Sequence, residues 1–187
     1  MISSTIHLLS GGLDSVTLLY DLHRQGRKVH CLMFDYKQRH IVELDYARWH
    51  CKKLKVPFTI KVLPDLGGLT KDDWIIPNRN MIFLAHAVNV ANAVGADHIT
   101  IGCNADDESY FPDCREPFLT AFNKATAAAG YQITVAAPYL YMPKSDIFKS
   151  AKMLGVDMKM IYTCYYGRQK PCWKCPACIK LAQAMKE

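Results

Sequence analysis

The chain has 187 residues, half of them apolar, with a charged fraction of 21% and a formal net charge of +6. That length suits one domain around one core, residues 1–187, and the composition excludes a disordered segment. No stretch is apolar enough to span a bilayer: the best, Met81 to Ala96, is interrupted by His86, Asn89 and Asn92, and no basic-then-apolar leader opens the chain, so a cytoplasmic protein is expected.

Strand and helix patterns alternate. Ile6 to Leu9 reads as a buried strand and Val16 to Gln25 as the helix after it. Val29 to Phe34 is a second strand, and Ile41 to Leu54 has helical spacing with Leu44, Ala47 and Cys51 on one side. Pro57 to Leu63 is a third strand, and Arg79 to Val94 is the longest helix. His98 to Gly102, Pro117 to Ala128, Ile133 to Ala136 and Lys144 to Leu154 continue the pattern as strand, helix, strand and helix. Strands separated by helices imply an α/β fold, a doubly wound parallel sheet covered on both faces. Ligands of such sheets bind beyond the carboxyl ends of the strands. The unusual polar segments fall there: after Leu9, after Phe34, before Arg79 and after Gly102.

The first such segment is Leu9-Ser10-Gly11-Gly12-Leu13-Asp14-Ser15. Two glycines between a strand and a helix let backbone N–H groups approach an anion, and Ser10 and Ser15 add hydroxyl donors. Asp14 repels phosphate, so its place is to hold the loop or a magnesium ion. Neither Gly-x-x-x-x-Gly-Lys-Ser/Thr nor Gly-x-Gly-x-x-Gly occurs, which excludes a Walker loop and a dinucleotide fingerprint. A serine-capped tight turn is the plainer alternative for two glycines alone.

Eight cysteines divide into four scattered thiols, Cys31, Cys51, Cys103 and Cys114, and a cluster at Cys164, Cys172, Cys175 and Cys178. Two Cys-x-x-Cys steps sharing Cys175 make a metal knuckle that Cys164 closes across a loop. With no histidine nearby, a structural four-cysteine zinc site is favoured over a four-iron, four-sulfur cluster or a redox pair. From Met142 to Glu187 nine basic side chains face three acidic ones, so the whole excess of +6 sits there, and zinc on four thiolates would lower it to +4. A basic tail suits an anionic partner, or compensates the thiolates on a solvated helix.

Several polar residues lie where a nucleotide pocket should open. Gln38, Arg39 and His40 follow the second strand, and Arg79 and Asn80 open a helix where they could meet phosphate or carboxylate. Asp107, Asp113 and Arg115 follow the fourth strand. A carboxylate there matches the amidine edge of a purine-like ring, and Tyr36, Tyr110 or Phe111 could stack on it. Each has an ordinary alternative: Arg39 with Asp113 as a surface ion pair, His40 as a helix cap, Asn80 as a helix-start residue. Cys114 reads as a packing residue, because Asp113 beside it would disfavour a thiolate.

The hexapeptide Ser10 to Ser15 matches the pyrophosphate loop of the PP-loop ATPases. Phe34 to His40, Pro77-Asn78-Arg79-Asn80, Phe111-Pro112-Asp113-Cys114-Arg115 and the Cys164 to Cys178 tail resemble, in order, segments of the 7-cyano-7-deazaguanine synthase (QueC) family. The resemblance implies an adenine-nucleotide alpha-hydrolase (PP-loop) sheet with a zinc-binding tail at about residues 160–187. It also implies an ATP-dependent carbon–nitrogen ligase acting on 7-carboxy-7-deazaguanine and ammonia. It further implies that residues 9–15 bind ATP, that Ser10, Asp14 and Arg115 act in the reaction, and that magnesium accompanies ATP. Gln38, Arg39, His40, Arg79, Asn80, Asp107, Asp113 and Arg115 meet the substrate. The family has glycine where Lys37, Asn78, Tyr110 and Trp173 stand, and these side chains are expected to fill space near the pocket. That motivates a rival in which the activated deazaguanine passes to another amine. A second rival is a tRNA-thiolating enzyme, and a third is a zinc-ribbon nucleic-acid module. The intact loop and the lack of a basic, aromatic stripe argue against direct nucleic-acid binding. The oligomeric state is open, with a homodimer as one option.

Overall fold

The structure, a computed structural model, describes residues 4–63, 66, 76–107 and 111–186. Its strands are β1 (Ser4–Leu8), β2 (Lys28–Asp35), β3 (Phe58–Val62), β4 (His98–Thr100) and β5 (Thr134–Ala136). Its helices are α1 (Leu13–Arg24), α2 (Glu43–Leu54), α3 (Arg79–Val94), α4 (Glu116–Ala128), α5 (Lys144–Met153) and α6 (Pro176–Ala184). All strands are parallel, in the order β3-β2-β1-β4-β5. Central β1 pairs on both sides, with Ile6 opposite His30 of β2 and Ile99 of β4. The chain order reverses between β1 and β4, which opens a crevice beyond their carboxyl ends.

Alternation along the strands divides the interior into two cores. Val29, Cys31 and Met33 of β2 join the core under α1, α2, α5 and α6, whereas Leu32 and Phe34 join the one under α3 and α4. Between the layers His7 is fully buried. Its Nε2 lies 2.8 Å from the Ser15 carbonyl and its Nδ1 2.9 Å from Thr100 Oγ1. A carbonyl only accepts, so Nε2 carries the proton and Nδ1 accepts from the threonine hydroxyl. This bridge ties the start of α1 to the sheet. Gly102 brings β4's end against the same place, where a Cβ would lie 2.9 Å from Ser15 N.

Strand ends shift by one or two residues, as where β1 begins at Ser4 rather than Ile6 and β4 ends at Thr100 rather than Gly102, and the helices differ more. α1 begins at Leu13 rather than Val16, because Gly12 is extended and already serves as the helix cap. α2 begins at Glu43 rather than Ile41, because Gln38 and His40 accept from Ile41 and Glu43 in successive turns. α6 was not expected as a helix, although Pro176 occupies its first turn and Ala177, Leu181 and Ala184 form its buried stripe.

Candidate active site

A cavity of about 230 Å³ occupies the crevice. Ser10, Gly12, Leu13, Asp14 and Ser15 form one wall. Ser10 N–H donates to Ser15 Oγ at 3.2 Å, Gly12 N–H to Ser10 Oγ at 3.3 Å, and the Ser15 hydroxyl to the Gly12 carbonyl at 3.2 Å. The loop is thus curled on its own hydroxyls. Gly11 closes the curl at φ +86°, where a Cβ would lie 2.5 Å from the Glu43 carbonyl. No side chain caps α1, so its first N–H groups remain available to an anion.

Asp14 meets a partner that the sequence did not reveal. Lys144 Nζ, at the start of α5, donates to Asp14 Oδ2 at 2.8 Å. Burial opposes the lysine's charge, but Asp14 and Asp107 outweigh it and hold Lys144 above its ordinary range. Asp14 Oδ1 is buried without a hydrogen-bond partner. An orphaned carboxylate oxygen beside an anion site fits a hard, oxygen-seeking cation such as magnesium.

The opposite wall comes from β2, α2 and α3. Arg79 NH1 donates to Tyr36 Oη at 3.1 Å, and its guanidinium lies 5.8 Å and 5.5 Å from the Tyr36 and Phe83 ring centres. His40 and Glu43 also line the cavity. Asn80 holds the segment after β4: its backbone N–H donates to Asp113 Oδ2 at 3.0 Å, and its side-chain amide to the Asp113 carbonyl at 3.1 Å and Cys114 Sγ at 3.3 Å. Asp113 is therefore set at the N-terminus of α3 while still lining the cavity.

Among the expected substrate residues, His40, Arg79, Asn80, Asp107 and Asp113 thus converge with the loop. Gln38, Arg39 and Arg115 do not line the cavity. Gln38 is buried as a brace, accepting from Tyr36 N–H and donating to the Phe34 carbonyl and Glu43 Oε1. Arg39 is exposed, with its carbonyl against Gly167 of the tail. Arg115 is the N-cap residue of α4, and among the described residues Lys144 and Arg79 are the lysine and arginine that line the cavity. Tyr110 lies outside the described residues. Lys144, Glu43, Tyr162 and Tyr165 were missed. The one signal available was for Lys144, which follows Pro143 at a helix start beyond the last strand.

The expectation that non-glycine residues fill the pocket is corrected. Lys37, Asn78 and Trp173 have φ of +61°, +54° and +55°, are exposed, and none lines the cavity. They keep a left-handed backbone that suits glycine, and the substitution is paid in strain rather than in pocket volume. Trp173→Gly is expected to change stability by no more than about +1 kcal/mol, because relief of strain is offset by the unfolded chain's added freedom. Substrate choice should not change. Denaturant melts and a competition between amines check both.

His7, His40 and Glu43 lead the pH response. Burial drives His7 to about 4, and burial with the Arg79 charge drives His40 to about 4, from 6.5 in each case. The unfolded chain therefore binds two protons that the native state refuses. Their contribution is complete above pH 6.5 and is lost as pH falls toward about 4. Burial pushes Glu43 the other way, from 4.5 to about 7, against the Gln38 hydrogen bond and Arg79. Its native proton stabilises most below pH 4.5, and that share is lost as pH rises to about 7. Each group is worth at most about 3 kcal/mol. Burial also lowers His30 and His50 and raises Asp107; four lowered histidines outnumber two raised carboxyls, so stability should rise with pH up to 6.5. Glu43→Gln should steepen that rise, measured by urea melts across the range. An unchanged slope would contradict the burial of Glu43 as a titrating group.

The tail completes the site from behind. Tyr162 N–H donates to the Gly11 carbonyl at 2.9 Å, and Thr163, Tyr165 and Ala177 line the cavity. The sulfur atoms of Cys164, Cys172, Cys175 and Cys178 all lie within 4.8 Å of one another, with Cys172 and Cys178 3.9 Å apart. Lys174 and Cys175 N–H donate to Cys172 Sγ at 3.4 Å and 3.2 Å. Bonds of 2.3 Å to one tetrahedral ion place thiolates about 3.8 Å apart, so the set fits a single ion. A four-iron cluster puts each thiolate on a separate iron, which requires a wider spread.

A parallel sheet that presents an uncapped helix start and a serine–glycine loop at its switch point defines a PP-loop ATPase fold. Comparison with solved structures agrees: the U34-tRNA thiolase NcsA from Methanococcus maripaludis, described with its four-iron, four-sulfur cluster, superposes with a TM-score of 0.58 at 17% identity, over 98% of this chain and 64% of the thiolase. The family model described as "Queuosine biosynthesis protein QueC" matches residues 4–74 and 67–187. A 7-cyano-7-deazaguanine synthase of Caldicellulosiruptor saccharolyticus is 36% identical over 96% of this chain and 89% of its own length. The synthases of Methanoregula boonei and Alteromonas mediterranea are 38% and 36% identical, over 96% and 100% of this chain and 93% and 95% of their own lengths. The chain belongs to the QueC family. No helix among the described residues is long and apolar enough to cross a membrane.

Proposed function

We propose that this chain is an ATP-dependent carbon–nitrogen ligase that converts 7-carboxy-7-deazaguanine and ammonia to 7-cyano-7-deazaguanine. The observation that carries it is the convergence, in one cavity, of the uncapped α1 start, the Asp14–Lys144 pair and the Asp113–Asn80 clamp. In this reading residues 1–187 act as one cytoplasmic domain, with small molecules as substrates.

The N–H groups opening α1, with Ser10 and Ser15, receive the pyrophosphate of ATP, and Lys144 offers a charged donor beside them. Asp14 would hold magnesium, which when bound neutralises phosphate charge. Tyr36 or Phe111 stacks on the flat base, and Asp113 accepts from its amidine edge. The substrate carboxylate then attacks the α-phosphorus and pyrophosphate leaves. Ammonia displaces AMP to give the amide, and a second ATP activates the amide oxygen, whose departure with AMP leaves the nitrile. No side chain serves as a nucleophile; the protein positions groups and stabilises charge. Cys164, Cys172, Cys175 and Cys178 would hold zinc, a structural cross-link for the tail.

No feature of the cavity favours any of the three rivals, and the thiolase superposition at 17% identity carries the fold alone. Of the glycine replacements that suggested another amine, Lys37, Asn78 and Trp173 lie away from the cavity, and the sulfur spacing suits one ion rather than a thiolase-type cluster. The test is exchange of labelled pyrophosphate into ATP. Exchange that requires 7-carboxy-7-deazaguanine and not ammonia supports the adenylate. Exchange indifferent to the deazaguanine would overturn the substrate assignment.

A further inference from the structure

A second, smaller cavity of about 30 Å³ adjoins the first. Asp107, Phe111, Lys144, Tyr165 and Ala177 line both, while Pro176 and Lys180 of α6 line only the smaller one. It is a side chamber, with room for one or two molecules the size of water. We propose that this chamber docks the nitrogen nucleophile as free ammonia and that Asp107 takes its proton during attack; the inference rests on the ligase reading above.

The chamber's chemistry selects a small neutral base. Ammonia has one lone pair and three N–H bonds, and the walls offer cationic donors, Lys144 and Lys180, and one carboxylate, Asp107. Lys144 and Lys180 are each paired with a carboxylate, Asp14 and Asp107, and only the neutral base carries the lone pair that attack requires. The carboxylate is held for the task. Asn104 Nδ2 donates to Asp107 Oδ2 at 2.8 Å. Lys180 Nζ stands 3.7 Å from Oδ1 and is fixed by donating to the Asp106 carbonyl at 2.6 Å. Burial raises Asp107 above the ordinary carboxylate range, while Lys144 and Lys180 pull it back. Such a group accepts a proton more readily than an exposed aspartate.

The step balances without another reactant. The nitrogen lone pair forms the C–N bond to the acyl carbon of the adenylate. The C–O bond to AMP breaks and its electron pair leaves on the AMP phosphate. One N–H proton of the new ammonium centre passes to Asp107, which later gives it to water. The shared walls let the nucleophile reach the acyl group from the α6 side, while ATP enters against the loop.

The experiment varies ammonium chloride at fixed pH under saturating ATP and 7-carboxy-7-deazaguanine, beside ammonia-free pyrophosphate exchange. Asp107→Asn is expected to lower kcat/KM for ammonia about a hundredfold, with an effect on exchange at least about tenfold smaller. Asp107→Glu, which keeps a carboxylate, should recover part of the ammonia rate. Equal losses in ammonia use and exchange, no loss in either, or a glutamate variant no better than asparagine would each overturn the proposal. Failure of the parent protein to exchange pyrophosphate would instead sink the ligase reading on which it rests.

Discussion

Replacing Lys144 by alanine is expected to lower deazaguanine-dependent pyrophosphate exchange by two to three orders of magnitude, on the order of 3–4 kcal/mol of transition-state stabilisation. Lys144 is bonded to the loop itself: its Nζ sits 2.8 Å from Asp14 Oδ2, with 11% and 17% of the two side chains exposed. Its removal strips the phosphate site of a preorganised donor. It also leaves Asp14 with both oxygens unsatisfied, since Oδ1 already lacks a partner. That uncompensated carboxylate should cost roughly 1–3 kcal/mol of stability as well. Lys144→Arg keeps the charge but presents a planar fork in place of a point donor, so an intermediate rate is expected. The measurement is exchange rate beside a denaturant melt. Parental exchange in the alanine variant would place Lys144 outside the chemistry.

Cys175→Ser carries the second large effect, because it joins the metal to the active site. About one metal ion per chain should be present in the parent and absent in the variant, read by elemental analysis. Loss of the ion frees Cys164, Cys172 and Cys178, three thiols that are nearly or partly buried around it. The tail that they anchor supplies Tyr162 N–H to the Gly11 carbonyl, and Tyr165 and Ala177 to the cavity wall. Stability should therefore fall by several kcal/mol, at least about 3, and exchange should fall with it. A chelator should reproduce both losses. A metal-free variant that melts and exchanges like the parent would show that the cysteines are not a structural centre.

The strands were legible because each is a short apolar run closed by glycine, proline or a polar residue, and parallel pairing follows from the helices between them. The loop and the cysteines were legible because their chemistry is written in consecutive residues. What escaped was set by topology. Lys144 lies 130 positions from Asp14, and His7 reaches Thr100 across 93. No local pattern links residues so far apart. Arg115 attracted notice because it follows Asp113, yet one position along the chain separates a cavity carboxylate from the cap of α4. α6 was hidden because Cys175 and Cys178 drew its sequence into the metal knuckle. The replaced glycines were visible as substitutions, but only the backbone shows that Lys37 and Trp173 answer to a left-handed φ rather than to a pocket.

The most direct test of the ligase assignment is the product itself. Protein incubated with ATP, 7-carboxy-7-deazaguanine and nitrogen-15 ammonia should yield 7-cyano-7-deazaguanine carrying the heavy nitrogen, resolved by mass, with two AMP and two pyrophosphate formed for each nitrile. A product that retains the carboxylate, one joined to a different amine, or ATP cleaved to ADP would contradict the account.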